Sequence, residues 1–446
     1  MLLRIGLDDT DSYNFGCTTY IATCIIEELV KSGYKIVDFP YLVRLNPNIP
    51  YKTRGNGAVS FTCEGDEEII GTCIKFLKRF EFKLDKEKNK PQPVIAFYSG
   101  KFIPNELKMF YQLALIKEVN IDSALKLAKK HNVIYYSLLE GERGLIGALA
   151  SIGADLSKSF TYELLAYRNL ENTKRIRDVS YTQVEELDKT FYEYTFGNLD
   201  YKKKRILITP HGNDPVFVGI RGYDPDILVK AFYTLKSIES QVTKWIIFKS
   251  NQGTDAHLKI ARKLQIIEPY AVFNKIVRLI EDPMVIKGGH TILKLSLGDG
   301  KIMEAVAYSQ SGYLSKIAKT LKKGDIIRVG GGINKHGVIN IEQIELVKLS
   351  PVLIKIVPYC PFCGNKMESE GDGKGIRCKS CENRSSFKYS FLIKQKERHL
   401  REGLIILPDP RSRRHLTSYI EKNQQPKIVK FNEKYYNFAL NYATSC

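Results

Sequence analysis

Residues 6–20 read GLDDTDSYNFGCTTY and place three carboxylates within four positions. These are Asp8, Asp9 and Asp11. The apolar pattern of residues 2–8 predicts a β-strand, and the residues from Thr18 onward have the apolar spacing of a helix. Acidic side chains between the end of a strand and the start of a helix stand where open α/β sheets bind ligands. The stretch therefore predicts an α/β domain with its site at this strand end.

The chemistry predicted for this stretch is phosphoryl transfer. Aspartate oxygens are ligands that Mg²⁺ prefers, together with the phosphates of a substrate. Residues 16–19, GCTT, would offer backbone N–H groups and hydroxyls to an anion at the helix start. The alternative is a turn made by Asp11 and Ser12, with Thr18 or Thr19 capping the helix.

The remaining chain divides by the pattern of its predicted elements. The N-terminal part alternates strands with helices, which predicts an α/β domain with some parallel pairing. Residues 205–258 predict a strand, a second strand, a helix and a third strand, an order compatible with a ferredoxin-like unit. From residue 282 onward, short strands and turns surround one predicted helix at 313–322, which indicates an OB barrel.

The charge balance favours a polyanionic partner. With 68 Lys and Arg against 49 Asp and Glu, the formal net charge is +19, and basic proteins most often bind nucleic acid. The alternative is a general use of surface lysines. Residues 386–446 hold twelve Lys and Arg against five Asp and Glu, so part of the excess is clustered.

The sequence predicts no membrane association. No run approaches the roughly 18 to 20 apolar residues of a membrane span. The N-terminus, MLLRIGLDD, becomes acidic too early for a signal peptide. Isolated cysteines in apolar stretches suit a reducing compartment, and we therefore expect a cytoplasmic protein.

Four clustered cysteines have the spacing of a structural zinc site. Cys360, Cys363, Cys378 and Cys381 follow the pattern C-x2-C-x14-C-x2-C. Zn²⁺ bound by four thiolates leaves no open position for catalysis and supplies folding free energy on the order of 10 kcal/mol. The residues predict a zinc ribbon, with a redox pair or an iron–sulfur cluster as the alternatives.

Two further polar loops are candidates for phosphate contacts. Residues 52–57, KTRGNG, combine cations with glycines, and residues 213–222, NDPVFVGIRG, add an acid and a second arginine. The candidate residues are Lys52, Arg54, Gly55, Gly57, Asp214 and Arg221. The alternatives are an ordinary basic turn and a turn with a surface ion pair. His211 and His257 are predicted to be hydrogen-bonded structural residues.

Together these motifs resemble the TiaS family, the archaeal tRNA(Ile) 2-agmatinylcytidine synthetases. The resemblance is carried by GLDDTDS…CTTY (6–20), RLNPNIPYKTRGNGAVSF (44–61), GLIGALASIGADL (144–156), TYELLAYR (161–168), DPVFVGIRG (214–222) and SNQGTDAHL (250–258). It covers nearly the whole chain, although residues 81–140 and the tail after 386 match less distinctively.

The resemblance implies a multidomain fold that combines α/β and α+β domains. The expected domains are an α/β ATP-dependent kinase-like catalytic domain at 1–195, a ferredoxin-like domain at 196–278, an OB-fold nucleic-acid-binding domain at 279–350, a zinc ribbon at 351–390 and a basic C-terminal tail at 391–446.

The resemblance also implies a reaction. Members of the family use ATP to join agmatine to C2 of the wobble cytidine in the isoleucine tRNA with a CAU anticodon, so that AUA is decoded. The cytosine O2 is a poor leaving group, and phosphorylating it would let the amine displace it. The cytosine must leave its stack to be reached.

The site residues follow by motif. Asp8, Asp9, Asp11 and Thr18 are the expected catalytic residues, and Thr18 corresponds to the threonine after which the family's kinase domain is named. Asp8 and Asp11 are the expected Mg²⁺ ligands. The expected ATP-binding residues are Gly6, Thr10, Thr19, Lys52, Arg54, Gly55, Gly57, Asp214 and Arg221. ATP, Mg²⁺ and Zn²⁺ are the expected cofactors.

Two other classes of function remain open. One is a tRNA- or RNA-binding protein without catalysis, and the other is a small-molecule kinase with accessory RNA-binding domains. ATP consumption that depends on both tRNA and agmatine separates the three.

Overall fold

The computed structural model describes most of the chain. The described residues are 1–11, 17–52, 55–80, 91–169, 176–210, 212–238, 240–298, 300–371, 373–385, 392–419, 422 and 424–438. Two predicted features, the phosphate contact of Arg54 and the structural role of His211, lie outside the described residues.

The secondary structure combines strands and helices throughout. In chain order the strands are β1 (Leu2–Asp8), β2 (Lys35–Ile36), β3 (Tyr41–Arg44), β4 (Gly57–Glu64), β5 (Val94–Ser99), β6 (Ile134–Ser137), β7 (Thr161–Tyr167), β8 (Thr195–Phe196), β9 (Leu199–Asp200), β10 (Arg205–Ile206), β11 (Val216–Gly222), β12 (Lys244–Ser250), β13 (Val272–Leu279), β14 (Met284–Val285), β15 (Thr291–Ser296), β16 (Ile302–Ala307), β17 (Ile326–Ile333), β18 (Ile339–Lys348), β19 (Val352–Ile356), β20 (Glu368–Ser369), β21 (Ile376–Arg377), β22 (Arg384–Ser385), β23 (Leu392–Lys396), β24 (Ile405–Ile406) and β25 (Tyr436–Asn437). The helices are α1 (Thr18–Lys31), α2 (Glu68–Leu77), α3 (Asn105–Ile116), α4 (Ile121–Lys130), α5 (Gly144–Gly153), α6 (Tyr181–Thr190), α7 (Pro225–Tyr233), α8 (Ala256–Leu264) and α9 (Tyr313–Ala318).

One sheet of eleven strands combines β1 to β6, which lie before residue 138, with five strands that lie after residue 160. Its order is β6-β5-β1-β4-β3-β12-β7-β11-β8, with β2 paired to β4 and β25 paired to β12. The described pairs among β1 to β6 are antiparallel, because β4 turns back beside β3 and takes the place next to β1. The parallel pairing expected within the N-terminal domain occurs instead between β3 and β12.

The sheet is covered on both faces. Helix α1 packs on one face through Ile21 and Ile25, and α2 packs there through Ile69 and Cys73, against apolar side chains of β1 and β4. Helices α3, α5 and α8 cover the other face. Helix α5 approaches β1 closely, since a Cβ at Gly6 would overlap the carbonyl oxygen of Ala148. This close approach brings α5 beside the acidic end of β1.

The C-terminal half contains the predicted OB barrel. Strands β13, β17, β18, β16 and β15 pair in that order, and β13 also pairs with β15, which closes the barrel. Helix α9 lies between β16 and β17. The barrel strand β13 begins at Val272, before the predicted boundary at residue 279. Among the described residues, no helix has both the length and the apolar character needed to cross a bilayer.

After the barrel the chain forms the zinc ribbon, and the residues that follow the ribbon pack back on the barrel and the central sheet. Strands β19 and β23 form an antiparallel ladder that carries the ribbon between them. Arg398, just after β23, forms a bidentate ion pair with the buried Asp325 of the barrel at 2.6 and 2.7 Å. The following residues, predicted as a tail, pack on both larger units, through β24 on the barrel and β25 on the central sheet. We call residues 405–419 the C-terminal strap.

Candidate functional site

A cavity of about 670 Å³ opens on the face of the central sheet that carries α1. Strands β3, β7 and β11 contribute its floor, and residues 205–210 and 410–415 contribute walls. We call it the larger cavity, to distinguish it from a smaller one at the end of β1. The predicted site residues that line it are Asp11, Thr18, Thr19, Gly55, Gly57, Asp214 and Arg221. The fold therefore brings together residues from three separate sequence motifs.

Asp11 and Thr18 form one hydrogen-bonded unit at the start of α1. The Asp11 carboxylate accepts from the backbone N–H of Thr18 at 2.6 Å and from its hydroxyl at 3.2 Å. The hydroxyl of the buried Thr10 donates to that of Thr18 at 3.0 Å. Since Thr18 is the first residue of α1, the helix is capped by the Asp11 carboxylate and not by a threonine hydroxyl. The start of α1 thus already binds one anionic group.

Asp8 faces a second, smaller cavity of about 70 Å³. Burial and the neighbouring carboxylates of Asp9 and Asp11 raise the pKa of Asp8 to about 8. The Asp8 carboxylate lies against Gly147 of α5, where any Cβ would overlap it. A buried carboxyl group beside two others is a strong site for a cation, because a positive charge would relieve the repulsion among the three.

Asp9 has a different environment from Asp8. Its Oδ2 atom accepts from the Arg143 guanidinium, at 2.9 Å from Nε and 2.7 Å from Nη2. The backbone N–H of Gln92 donates to the same oxygen at 3.1 Å. Burial raises the pKa of Asp9, and Arg143 opposes that shift. Asp9 therefore fixes the loop between β1 and α1 to the start of α5.

The two cavities adjoin at Gly57, which lines both. Lys52 lines the smaller cavity, and burial together with the nearby Arg414 lowers its pKa. Gly6 and Thr10, both predicted to bind ATP, line neither cavity: Gly6 packs against α5 and Thr10 is fully buried. The predicted site thus spans two cavities that share Gly57 as a lining residue.

Arg221 belongs to a polar network on the cavity floor. It lies directly opposite Glu163 in the pairing of β11 with β7, and its Nε donates to the Glu163 carboxylate at 2.9 Å. Gln252 donates to the other oxygen of Glu163 and accepts from Arg44 Nε at 3.3 Å. This network holds two arginines at the floor of the larger cavity.

Asp214 is not paired with Arg221. Its carboxylate accepts from Arg177 at 3.2 Å, and Arg177 also donates to the backbone carbonyls of Pro210, Gly212, Asp214 and Val216, each at 2.9 Å. Arg177, together with Arg168, which also donates to the Asp214 carbonyl, therefore shapes the loop before β11 that forms one wall of the larger cavity. His257 is buried and bonded to Glu342 at 3.0 Å, consistent with its predicted structural role.

The C-terminal strap supplies site residues that the sequence did not predict. Those lining the larger cavity are Pro410, Arg411, Ser412, Arg413, Arg414, His415 and Tyr419. Backbone bonds from Gly253 and Asp255 hold the strap in place, each at 2.8 Å. The positive charges of Arg44 and Arg221 keep the pKa of His415 well below its usual value, so its imidazole is neutral at pH 7. The available signal was the run RSRRH at 411–415.

The four clustered cysteines meet at one point. Their sulfur atoms all lie within 4.8 Å of one another, and the pairs Cys360–Cys381 and Cys363–Cys378 are 3.4 and 3.3 Å apart. Four sulfurs about 2.3 Å from a central Zn²⁺ would stand roughly 3.8 Å apart, so the arrangement fits tetrahedral zinc. Met367 and Ile376 form a small apolar core beside the cluster.

We expect one zinc ion per chain, bound by these four cysteines. A Cys360→Ser/Cys363→Ser variant should lose the metal, because two thiolates cannot hold zinc as four do, and its ribbon should unfold locally. Metal analysis of the purified wild-type and variant proteins checks this. Equal zinc content in the two proteins would contradict the assignment.

The comparison with known proteins identifies the family. Models of the TiaS TCKD domain, the TiaS FLD domain and the TiaS C-terminal zinc ribbon domain match residues 4–94, 142–257 and 357–400. The chain is 43% identical to TiaS of Pyrococcus horikoshii, a 2-agmatinylcytidine synthetase for an isoleucine tRNA, over 386 residues, 85% of this chain and 88% of that protein. The chain belongs to the TiaS family.

Solved TiaS structures share the fold. A crystal structure of apo TiaS, an agmatidine synthetase for an isoleucine tRNA, matches with a TM-score of 0.84 and 33% identity over 96% of this chain and all of that chain. A TiaS complex with the isoleucine tRNA, AMPCPP and agmatine matches with a TM-score of 0.80 and 31% identity over 96% and 99% of the two chains. The FLD match at 142–257 overlaps both domains that the sequence divides at residue 195, and the central sheet is continuous there, since β7 lies between β11 and β12.

Proposed function

We propose that this protein is an ATP-dependent tRNA-modifying ligase that conjugates agmatine to C2 of the wobble cytidine in the CAU anticodon of isoleucine tRNA, through phosphorylation of the cytosine O2. The observation that carries the proposal is the larger cavity, where the start of α1 and Arg221 meet the strap arginines. Membership of the TiaS family and the likeness to a TiaS complex with an isoleucine tRNA, AMPCPP and agmatine support it. We place the protein in the cytoplasm, with its tRNA substrate.

The chain's own groups suit the transfer of a phosphoryl group. The N-terminus of α1 and the guanidinium groups of Arg44 and Arg221 lie where negative charge would develop, and fixed dipoles and cations stabilise such charge. Gly55 and Gly57 leave room beside the Arg44 guanidinium, which lies within 3 Å of where a Cβ would stand. We propose ATP contacts for these groups and for Thr19, Lys52, Arg54 and Asp214. Gly6 and Thr10 line neither cavity, and we propose that they support the ATP site from beneath without contacting the nucleotide.

The carboxylates at the end of β1 fit Mg²⁺. Asp8 is buried beside two other carboxylates, which raises its pKa to about 8, and a bound divalent cation would stabilise its ionised form. We propose Asp8 and Asp11 as the ligands, with Asp9 holding their loop through Arg143. Bound Mg²⁺ would neutralise charge on the ATP phosphates. Asp11 would then exchange its bond to the start of α1 for a contact to the metal.

The remaining groups serve the nucleobase and the amine. A cytosine that enters the larger cavity must leave its stack. Transfer of a phosphoryl group to the cytosine O2 breaks a P–O bond of ATP and creates a leaving group. The agmatine amine then attacks C2, loses a proton and displaces phosphate from the same carbon. The barrel and the zinc ribbon are the units we propose to hold the rest of the tRNA.

The decisive experiment is a three-component assay on purified protein. We expect ATP consumption and a modified cytidine only when isoleucine tRNA with the CAU anticodon and agmatine are both present. ATP consumption without tRNA would indicate a small-molecule kinase. Tight tRNA binding without ATP consumption would indicate an RNA-binding protein that does not catalyse the reaction.

A further inference from the structure

The mouth of the larger cavity is marked by cations. Arg205, at the start of β10, and Arg411, in the strap, both line the cavity and are both solvent-exposed. A residue that lines the cavity and still faces solvent stands at its entrance. Gln310 and His415 also line the cavity and are exposed, so a ligand that passes in or out passes close to two guanidinium groups, an amide and an imidazole.

The hairpin that carries Arg205 has three further cationic side chains. Strands β9 and β10 pair through Asp200 and Arg205, and the turn between them is Tyr201–Lys204, YKKK, exposed throughout. The backbone N–H of Lys203 donates to the Asp200 carboxylate at 3.1 Å, and Lys204 has a left-handed φ of +49°. The turn is thus a defined structure that presents three lysines to solvent.

The hairpin and the strap are neighbours at this entrance. Lys202 Nζ lies 3.8 Å from the carboxylate of Asp409, which precedes the strap turn at Pro410–Ser412. Ser412 donates through its hydroxyl to the backbone carbonyl of Gln310 in the barrel at 2.7 Å. The strap turn therefore joins the lysine hairpin to the barrel, and a long ligand could contact all three.

We propose that these cations form a basic collar that binds the backbone phosphates of a single-stranded RNA loop on either side of the nucleotide held in the cavity. The collar consists of Lys202, Lys203, Lys204, Arg205 and Arg411. A mononucleotide would be held inside the cavity and would not need cations outside it, whereas a polynucleotide continues past the mouth and carries one phosphate per residue. The proposal rests on the proposed function for the identity of the RNA.

The test uses full-length protein and a stem-loop RNA that carries the CAU anticodon. The variant Lys202→Gln/Lys203→Gln/Lys204→Asn removes three charges and keeps polar side chains, and asparagine tolerates the left-handed φ of residue 204. We expect the slope of log K against log salt to become shallower by about 2, at about 0.7 per lost contact to single-stranded RNA. The dissociation constant should rise about ten- to fiftyfold near physiological salt.

A matched control removes the same charge elsewhere. Lys75→Gln/Lys126→Gln/Lys129→Gln changes three exposed lysines on α2 and α4, none of which lines the larger cavity. We expect this control to bind the stem-loop as the wild type does. The collar variant should also keep wild-type ATP affinity. A second variant, with arginine at the same three positions, should bind RNA as the wild type does.

The outcomes separate the two proposals. Equal affinity and equal salt slope in the collar variant and the control would overturn the collar. In another outcome, the wild type shows no ATP consumption in the three-component assay while the collar variant, unlike the control, loses RNA binding. That result would contradict the proposed function and support the collar. Loss of ATP affinity in the collar variant would also overturn it, since the lysines would then act inside the cavity.

Discussion

Asp8→Asn is expected to lower the rate of tRNA- and agmatine-dependent ATP consumption by about a hundred- to a thousandfold, the usual cost of one strong electrostatic contact in a transition state. Asparagine keeps the size of the side chain beside Gly147 and removes its charge. If Asp8 is a Mg²⁺ ligand, the loss should appear in kcat at saturating ATP and Mg²⁺.

The control for Asp8→Asn is Asp224→Asn. Asp224 is a half-buried carboxylate before α7 that lines neither cavity and accepts a hydrogen bond from the Asp226 backbone, which asparagine can also accept. We expect Asp224→Asn to retain kcat within a factor of about 3. Wild-type kcat in Asp8→Asn would show that the acidic stretch only shapes a turn.

Thermal stability gives a second readout for Asp8. Because its folded-state pKa is raised from 3.8 to about 8, its protonated form favours the folded state, and this contribution is lost as the pH rises from about 4 to about 8. In buffer without Mg²⁺, we therefore expect the Tm of wild type to fall relative to that of Asp8→Asn between pH 5 and pH 8. Adding Mg²⁺ at pH 8 should raise the Tm of wild type and leave that of the variant unchanged.

The elements that the sequence predicted well are those with local signals. The strand at 2–8 and the helix from Thr18 follow from apolar spacing, and the barrel follows from alternating strands and glycine turns. The ribbon follows from two CxxC pairs on one hairpin, whose sulfurs must come together once the hairpin forms. Each of these signals is contained within about 80 residues of chain, which periodicity and spacing can report.

The features that the sequence did not predict depend on contacts between distant segments. His415 meets the loop at Gly253 through a backbone bond, and no local pattern links those positions. Asp214 and Arg221 are close in sequence but have different partners, because Arg221 lies within β11 opposite Glu163 whereas Asp214 precedes the strand and meets Arg177. The strap's basic run was visible only as charge, and its place in the cavity requires the assembled fold.

Contacts with distant segments also explain why the acidic stretch is divided between two cavities. Asp8 is the last residue of β1 and lies against α5, whereas Asp11 follows the left-handed turn at Asp9 and reaches the start of α1 on the other face of the sheet. Three neighbouring aspartates therefore take three different partners: a packed glycine, an arginine and a helix start. Their separate roles can be tested one at a time.

Asp11→Asn is expected to lower kcat by about a hundredfold while changing stability little. The asparagine side-chain oxygen can still accept from the N–H of Thr18, and asparagine and aspartate are comparable helix caps, so the loss should be limited to about 0.3 to 1 kcal/mol of charge–dipole attraction. A metal ligand, in contrast, needs the negative charge. The prediction is a large fall in kcat with a Tm close to that of wild type.

The chain offers a closely matched control in Asp66→Asn. The Asp66 carboxylate accepts from the backbone N–H of Glu68 at 3.0 Å, and Glu68 is the first residue of α2 just as Thr18 is the first residue of α1. Asp66 lines neither cavity, so its substitution should change the Tm as Asp11→Asn does and leave kcat unchanged. Equal kcat values in Asp11→Asn, Asp66→Asn and wild type would reduce Asp11 to a helix cap. Because both variants alter the same kind of cap, any difference in kcat between them measures what the Asp11 charge does in the cavity.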